Sequence, residues 1–219
     1  MGRNGVMTAV SAEFTPGCHR VGMRVSVFPA IERRARRVAI GTFDGVHLGH
    51  RRVIAGCDTV LTFEPHPLAV LRPDFAPPRL TDCEEKLRRL ALLGVDETVV
   101  VPFDREFATL SAGEFVDRLL VEALRAIHVS VGVNFRFGQG ASGDATLLAA
   151  DGRFETRVVP LHAVGGEPVS STRIRRLLAA GAIAEAKHLL GGPPSSALAP
   201  VGAGTVSAAQ RLEEPAGRL

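Results

Sequence analysis

The sequence is poor in cysteine, with three among 219 residues, at Cys18, Cys57 and Cys83. None belongs to a Cys-x-x-Cys pair, the spacing that zinc sites and redox-active dithiols usually require. The odd number and the wide spacing therefore indicate small buried or half-exposed thiols rather than metal ligands or redox groups.

Long apolar runs are also missing. No stretch approaches the roughly 20 apolar residues that a membrane-spanning helix needs. Residues 1–17 lack the continuous apolar core that is typical of a signal peptide. We therefore expect a cytoplasmic protein with no membrane partner.

Charge of one sign is not in large excess, because 26 Lys and Arg face 23 Asp and Glu, which gives a formal net charge of +3. This excess is too small to indicate nucleic-acid binding, so no nucleic-acid partner is expected. Almost all of the basic residues are arginine, which suits bidentate phosphate contacts wherever it converges on a site. The hydrophobic fraction of 46% is sufficient for one sizeable buried core.

Three segments differ in composition. Residues 1–22 are rich in small and polar residues without periodicity and predict a flexible leader, in which Met1, Met7 or Met23 is the true start. Residues 192–219 are dominated by Gly, Pro, Ala and Ser and predict a disordered tail. Residues 23–191 are predicted to form one domain.

Short apolar runs alternate with helical patterns inside this domain. The runs are RRVAIGTF, TVLTF, ETVVVPF, HVSVGVNF and TRVVPLHAV, preceded by MRVSVFPAI. The helical segments TDCEEKLRRLALLG and SAGEFVDRLLVEAL begin with capping-box spacings, Thr81 to Glu84 and Ser111 to Glu114. This alternation predicts an α/β fold with a mostly parallel, buried sheet flanked by helices.

The segment GTFDGVHLGH, residues 41–50, directly follows the strand RRVAI. Ligands of open parallel sheets bind beyond the carboxyl ends of the strands, where helix N-termini favour phosphate. Gly41, Gly45 and Gly49 allow the main chain to approach a polyphosphate closely, and His47 and His50 lie on one face of the first helical turn. The next strand begins about fifteen residues later, which leaves room for a helix of about two turns. The segment predicts a phosphate site rather than a zinc site, since further metal ligands are not nearby.

The pattern His-x-Gly-His after a first strand resembles the signature of the nucleotidylyltransferase superfamily, and GTFDGVHLGH resembles its FMN adenylyltransferase branch in particular. Three further motifs of this branch follow in order, namely LTFEPHP (61–67), GVNFRFGQGASGD (132–144) and VSSTRIRRLLAAG (169–181). Over roughly residues 23–191 the chain is similar to the N-terminal half of bacterial bifunctional riboflavin kinase/FAD synthetase. The resemblance implies a Rossmann-like nucleotidylyltransferase domain.

The resemblance also implies a reaction, the transfer of AMP from ATP to FMN, which gives FAD and pyrophosphate. Mg²⁺ would be held mainly through the ATP phosphates, with no firm protein ligand. The residues implied as catalytic are His47, His50 and Arg173. Those implied to bind ATP are Gly41, Thr42, Phe43, Asp44, Gly49, Ser170, Ser171 and Thr172, with Asp44 a candidate for orienting ligands or metal.

The flavin pocket is assigned by the resemblance to the second and third motifs, with the candidates Phe63, Pro65, Pro67, Asn134, Phe135, Phe137 and Asp144. Each Phe taken singly could equally belong to an ordinary core, and Asp144 could cap the next turn. Gly138, Gly140 and Gly143 spell the dinucleotide pattern G-x-G-x-x-G. A weakly helical segment follows them late in the sheet, so an NAD site is disfavoured.

The sequence departs from the family after Leu190, where the bifunctional proteins continue into a riboflavin kinase barrel with a Pro-Thr-Ala-Asn motif. We therefore expect no kinase domain in this chain and a functional link to a separate riboflavin kinase. Ala182 stands where the family often has a capping Asp. Two alternatives stay open: an impaired paralogue that only binds flavin nucleotide and ATP, and adenylyl transfer to another acceptor, such as nicotinamide mononucleotide or phosphopantetheine.

Overall fold

The computed structural model describes residues 19–20 and 22–192. Most of the predicted leader and all of the predicted tail after residue 192 lie outside these residues. His19–Arg20 form a short strand that pairs with Met23–Val27, so the sheet extends past the predicted boundary at residue 23.

Eleven strands occur in the described part of the chain. In order they are β1 His19–Arg20, β2 Met23–Val27, β3 Arg36–Ile40, β4 Thr59–Glu64, β5 Glu97–Pro102, β6 Ala126–Gly132, β7 Arg136–Phe137, β8 Gly143–Asp144, β9 Glu155–Val159, β10 Ala163–Val164 and β11 Glu167–Pro168. Seven of them form one sheet in the order β1-β2-β5-β4-β3-β6-β9, while β7–β8 and β10–β11 are separate hairpins. Every pair in the large sheet is parallel except β1–β2, which confirms the predicted mostly parallel α/β fold.

Seven helices and three 3₁₀ turns connect the strands in the described residues. The helices are α1 Leu48–Ile54, α2 Pro67–Leu71, α3 Cys83–Leu92, α4 Ala112–Glu114 continued by a π-helical stretch Phe115–Ala123, α5 Ala145–Ala150, α6 Ser171–Ala179 and α7 Ile183–Leu190; the 3₁₀ turns are Pro73–Phe75, Phe107–Thr109 and Gln139–Ala141. The seven residues of α1 make about two turns, as the short connection predicts. The N-cap Ala182 makes no capping side-chain hydrogen bond to α7.

The two predicted capping boxes have different outcomes. The Ser111 box is confirmed, because Ser111 Oγ accepts the Glu114 N–H at 3.2 Å and the Glu114 carboxylate accepts the Ser111 N–H at 3.0 Å. The Thr81 box is wrong, since Asp82 caps α3 by accepting the Glu85 N–H at 2.7 Å. Thr81 Oγ1 instead accepts the N–H of Gly45 at 3.1 Å, so its side chain is bonded to the loop after β3 and not to α3.

Both faces of the sheet are covered by helices. The α4 helix with its π-helical extension packs with α5 on one face, whereas α1 and α3 pack on the other. Val60 and Leu61 of β4 point to opposite faces and are both fully buried, as expected for a central parallel strand. A third apolar cluster joins α6 and α7 to Leu80 and Val169.

The strand order places a topological switch at β3. From β3 the chain continues to β4 and β5 on one side, and it then returns to β6 on the other side. Connections that leave neighbouring strands in opposite directions open a crevice at their carboxyl ends, which is where ligands of such sheets bind. The predicted phosphate-binding segment begins at this crevice.

Candidate active site

The loop between β3 and α1 has an unusual backbone. Phe43 and Val46 adopt positive φ angles of 49° and 45°, although both carry a Cβ. Their side chains are buried in the apolar core between the sheet and α1, which holds this strained conformation in place. A larger residue than Gly49 would be crowded, because a Cβ at this position would lie 3.1 Å from Cε1 of the His47 ring.

His47 and His50 form a stacked pair at the start of α1. Their ring centroids lie 3.5 Å apart with an interplanar angle of 15°, and Phe43 contacts His50 edge-on at 5.3 Å. His47 is the N-cap of α1, and its Nδ1 accepts the His50 N–H at 3.2 Å. When Nδ1 of a neutral imidazole accepts, the ring proton resides on Nε2. His47 therefore presents an Nε2–H donor.

Burial keeps both rings uncharged at neutral pH. It lowers the pKa of His47 to about 4, with the nearby Arg175 charge lowering it further and Asp44 opposing the shift. Burial also lowers the pKa of His50 well below its usual value; the neighbouring His47 ring, which would repel a second positive charge, and the Lys86 ammonium lower it further. The pair thus adds no net charge to the site at neutral pH.

Asp44 connects three segments. Its carboxylate accepts the N–H groups of Leu80 at 2.9 Å and Thr81 at 3.1 Å, and it contacts the Arg175 guanidinium. Its backbone carbonyl accepts the Ser171 hydroxyl at 3.0 Å. This carboxylate, a candidate for orienting ligand or metal, is therefore engaged with protein donors and orients the loop itself.

The structure places Arg173 and Arg175, two of the three arginines of α6, on different sides of the helix. Arg173 donates to the carbonyls of Val164 and Glu167, both at 2.9 Å, and to the Glu185 carboxylate at 2.9 Å. Its side chain is therefore hydrogen-bonded to the β10–β11 hairpin and to α7. Arg175 reaches Asp44 in the loop before the histidines. The catalytic role of Arg173 stays a prediction, whereas Arg175 is the arginine of α6 that contacts the loop carrying the histidines.

Four other predicted nucleotide residues lie around the same loop and helix. Ser170 caps α6 by accepting the Arg173 N–H at 3.1 Å. Thr172 is exposed on the first turn of α6. In the loop after β3, the carbonyl of Thr42 accepts the Thr62 hydroxyl at 3.2 Å. Gly41 precedes this loop, where a Cβ would lie 3.1 Å from the Phe43 ring.

A second polar cluster lies on β4 and α3. Glu64 contacts the Arg79 guanidinium, and the Lys86 ammonium lies 3.4 Å from Glu64 Oε2 and 3.4 Å from Thr62 Oγ1. Arg79, Lys86 and Glu64 were not among the residues predicted from the sequence. A lysine on the apolar side of TDCEEKLRRLALLG, beside Leu87, is the signal that could have identified the cluster.

A cavity of about 500 Å³ lies beside this cluster. All eleven aromatic residues of the chain are phenylalanine, and six of them line this one cavity. The complete lining is Phe63, Pro67, Leu71, Arg72, Phe103, Phe107, Ala108, Leu110, Phe115, Phe135, Arg136, Phe137, Gly138, Gly140 and Ala141. Its size and aromatic walls are those of a pocket for a planar small molecule.

Four of the seven predicted flavin residues line the cavity, namely Phe63, Pro67, Phe135 and Phe137. The other three, Pro65, Asn134 and Asp144, are not part of its lining. Pro65 follows a cis peptide bond after Glu64, and Asn134 is exposed in the turn after β6. Asp144 caps α5 by accepting the N–H groups of Thr146 at 2.9 Å and Leu147 at 3.0 Å, and its role towards flavin stays a prediction.

The glycines Gly138, Gly140 and Gly143 belong to the β7–β8 hairpin and not to a strand–helix turn. Gly143 packs against the Phe137 ring, since a Cβ there would lie 2.6 Å from Cζ. Gly138 and Gly140 thus line the cavity, and Gly143 supports its Phe137 wall.

A family model described as FAD synthetase matches residues 30–173. The chain belongs to the FAD synthetase family. It is 43% identical over 169 residues to the bifunctional riboflavin kinase/FMN adenylyltransferase of Escherichia coli strain K12, and equally identical to the protein of that name from Listeria monocytogenes. Both alignments cover 71% of this chain and 54% of the relative, so this FAD synthetase chain spans about half the length of these curated relatives.

A solved structure supports the fold of this FAD synthetase family member. The crystal structure described as a macrolide-efflux protein from Streptococcus pneumoniae has a TM-score of 0.71 and 27% identity, and the match covers 78% of this chain and 62% of that one. The word efflux describes that Streptococcus pneumoniae protein, and no such activity is assigned to the present chain. No helix within residues 19–20 and 22–192 of the present chain is both long and apolar enough to cross a membrane.

Proposed function

We propose that this chain is an FMN adenylyltransferase, which makes FAD from FMN and ATP. A phosphate oxygen of FMN attacks the α-phosphorus of ATP, the bond to the bridging oxygen breaks, and pyrophosphate leaves. No covalent enzyme intermediate is needed. The protein then contributes positioning and charge stabilisation, which is the usual basis of phosphoryl-type transfer.

One relationship supports this proposal most strongly. Successive residues of β4 alternate between the polar cluster and the aromatic cavity: Thr62 and Glu64 face Lys86, whereas Phe63 lines the cavity. A planar ring in the cavity and a polyphosphate at the histidine loop would therefore meet across a single strand end. An acceptor that carries both a flat ring system and a phosphate fits this arrangement.

His47 and His50 are proposed to donate hydrogen bonds to ATP phosphate oxygens. Neutral imidazoles with a proton on Nε2 can donate without a proton transfer, and the pKa of His47, lowered to about 4, keeps it in this form. Ser170 and Ser171, at the start of α6, are proposed to place the next donors. Arg175 replaces Arg173 as the proposed arginine of this group, because it reaches the loop that carries the histidines.

Mg²⁺ is proposed to enter as the complex with ATP. Among the described residues, no group of three or more His, Cys, Asp or Glu side chains is arranged to hold a metal ion. Asp44, the predicted carboxylate in the histidine loop, already accepts hydrogen bonds from a backbone N–H group and from Arg175. The phosphate oxygens of ATP would accordingly be the main ligands of Mg²⁺, and the ion would offset the negative charge of these oxygens.

A cytoplasmic location and a link to a separate riboflavin kinase are part of the same proposal. ATP is the proposed adenylyl donor and is abundant in the cytoplasm. FMN arises by phosphorylation of riboflavin, and the names of the curated relatives include a riboflavin kinase activity. For the present chain we propose that FMN is delivered by such a kinase.

The decisive experiment incubates the purified full chain with FMN and Mg-ATP and separates the products by HPLC. We expect FAD and pyrophosphate, with the label of [α-³²P]ATP appearing in FAD and that of [γ-³²P]ATP in pyrophosphate. Riboflavin, nicotinamide mononucleotide and phosphopantetheine serve as acceptor controls. Binding of FMN and ATP without any FAD would instead support the binding-only alternative, and transfer to another acceptor would contradict the assignment of FMN.

A further inference from the structure

Lys86 is a charged residue in the interior of the protein. It is 6% exposed and lies on the buried side of α3 together with Leu87 and Leu90. An ammonium group in this position loses its hydration and needs close polar partners in return. The chain has only one other lysine, Lys187, beside 24 arginines, so this residue type is rare here.

The contacts of the Lys86 ammonium are long. Nζ lies 3.4 Å from Thr62 Oγ1 and 3.4 Å from Glu64 Oε2, whereas ammonium–carboxylate hydrogen bonds are typically about 2.7–2.9 Å. Glu64 also contacts the Arg79 guanidinium. One carboxylate therefore faces two cations, and the three side chains together carry one net positive charge.

The Lys86 ammonium lies next to the loop that carries the histidines, because Thr62, 3.4 Å from Nζ, donates its hydroxyl to the Thr42 carbonyl of that loop at 3.2 Å. Burial is the main cause that lowers the pKa of His50 and of His66, and the Lys86 charge lowers both further. Nδ1 of His50 is buried, and it has no hydrogen-bond partner in the part of the chain that the structure describes. Arg175 differs from Lys86 in having the Asp44 carboxylate as a close partner.

We propose that Lys86 is a phosphate-binding residue of the transfer site, whose ammonium group exchanges its long contact with Glu64 for a phosphate oxygen of ATP beside His50. The inference rests on the proposed adenylyl transfer. A phosphate oxygen provides the close anionic partner that Glu64, shared with Arg79, does not. The charge that develops on the departing pyrophosphate is stabilised at the same position.

Two variants and one control test this role. Lys86→Met removes the charge at nearly the same length, Lys86→Arg retains it, and Lys187→Met makes the same change at the other lysine. Titration calorimetry measures the binding of inorganic pyrophosphate and of ATP. We expect Lys86→Met to weaken pyrophosphate binding at least about tenfold and to lower kcat/KM for ATP about 10²-fold. Lys86→Arg is expected to retain pyrophosphate binding and kcat/KM for ATP within about tenfold. In both Lys86 variants, the affinity for FMN is expected to change less than about twofold.

A second measurement needs no change at Lys86. Selective ¹⁵N labelling of lysine yields only two side-chain ammonium signals, and Lys187→Met assigns them. Addition of inorganic pyrophosphate is expected to shift the Lys86 signal and to leave the Lys187 signal in place. An unmoved Lys86 signal under saturating pyrophosphate would overturn the proposal.

The calorimetric outcomes are equally distinct. Unchanged pyrophosphate binding in a folded Lys86→Met protein would overturn the proposal. An equal loss of pyrophosphate and FMN binding, together with a lowered unfolding midpoint, would also overturn it, because that pattern indicates a structural role of Lys86. Formation of FAD by the unchanged protein is scored separately. Its absence would contradict the proposed function, while pyrophosphate binding would still decide the role of Lys86.

Discussion

Arg175 on α6 contacts the carboxylate of Asp44 in the β3–α1 loop, and Ser171 donates its hydroxyl to the Asp44 carbonyl at 3.0 Å. The same carboxylate accepts two backbone N–H groups from the segment before α3. One buried side chain thus joins segments that are distant in sequence. Because the loop leads directly into His47 and His50, the position of both rings depends on this junction.

Asp44→Ala is expected to lower the free energy of unfolding by about 3–5 kcal/mol, since it leaves the Arg175 charge largely buried and unpaired. Urea denaturation measures the effect. Asp117→Ala is the matched control, because Asp117 is exposed and forms its ion pair with Arg153 at the surface, so a change below about 1 kcal/mol is expected. Equal losses in the two variants would contradict the role of Asp44 as a junction.

His47→Asn separates the structural role of this residue from its proposed chemical role. Asparagine is a favourable N-cap, so its side-chain oxygen can accept the His50 N–H in place of Nδ1. We expect the free energy of unfolding at pH 7 to change by less than about 1 kcal/mol, while the rate of FAD formation falls about 10²–10³-fold. Retained activity in this variant would exclude His47 as a phosphate donor.

The pH dependence of stability follows from the lowered pKa of His47. The unfolded chain takes up a proton near pH 6.5, whereas the folded protein does so only near pH 4. Between these values the unfolded state binds more protons, so stability is complete above about pH 6.5 and is lost as the pH falls towards 4. A pKa difference of about 2.5 corresponds to roughly 3 kcal/mol.

Urea denaturation at several pH values between 4 and 7 measures this effect. His50 acts in the same direction, because its pKa is also lowered by burial. His47→Asn is expected to reduce the slope of stability against pH in this range without abolishing it. An identical slope in the variant would show that the His47 ring is not held uncharged by the fold.

Gly143→Ala is expected to deform the wall of the aromatic cavity. The added Cβ would lie 2.6 Å from the Phe137 ring, so we expect a loss of about 1–3 kcal/mol of unfolding free energy and weaker FMN binding. FMN fluorescence quenching measures the affinity. Gly152→Ala is the control, because an added Cβ there meets no heavy atom within 4 Å. Unaltered FMN affinity in Gly143→Ala would argue against flavin in this cavity.

Local sequence signals were sufficient for most of the secondary structure. The run TVLTF becomes the fully buried strand β4, and Ser111 caps its helix as predicted. The failure at Thr81 has a clear cause: Thr81 and Asp82 are both good capping residues, and only the contact with the β3–α1 loop commits Thr81 elsewhere. Spacing along the chain does not contain that contact.

The aromatic cavity was predicted only in part for a similar reason. Phe63 and Phe137 belong to recognisable motifs, whereas Phe103, Phe107 and Phe115 come from segments with no motif of their own. A phenylalanine in a core and one in a cavity wall have the same local sequence pattern. Only the packing of β4, β5 and α4 around a shared space distinguishes them.

The sequence by itself determined the α/β alternation and the position of the histidine pair at the start of a helix, because periodicity, capping and motif spacing are local properties. The tertiary structure decided which charged side chains join that pair. On a helix, residues two positions apart are rotated by about 200° around the axis, so Arg173 and Arg175 leave α6 on different sides. The burial of Ile174 and Leu178 against α7 sets the rotation of α6, which turns Arg175 towards Asp44 and Arg173 towards the hairpin.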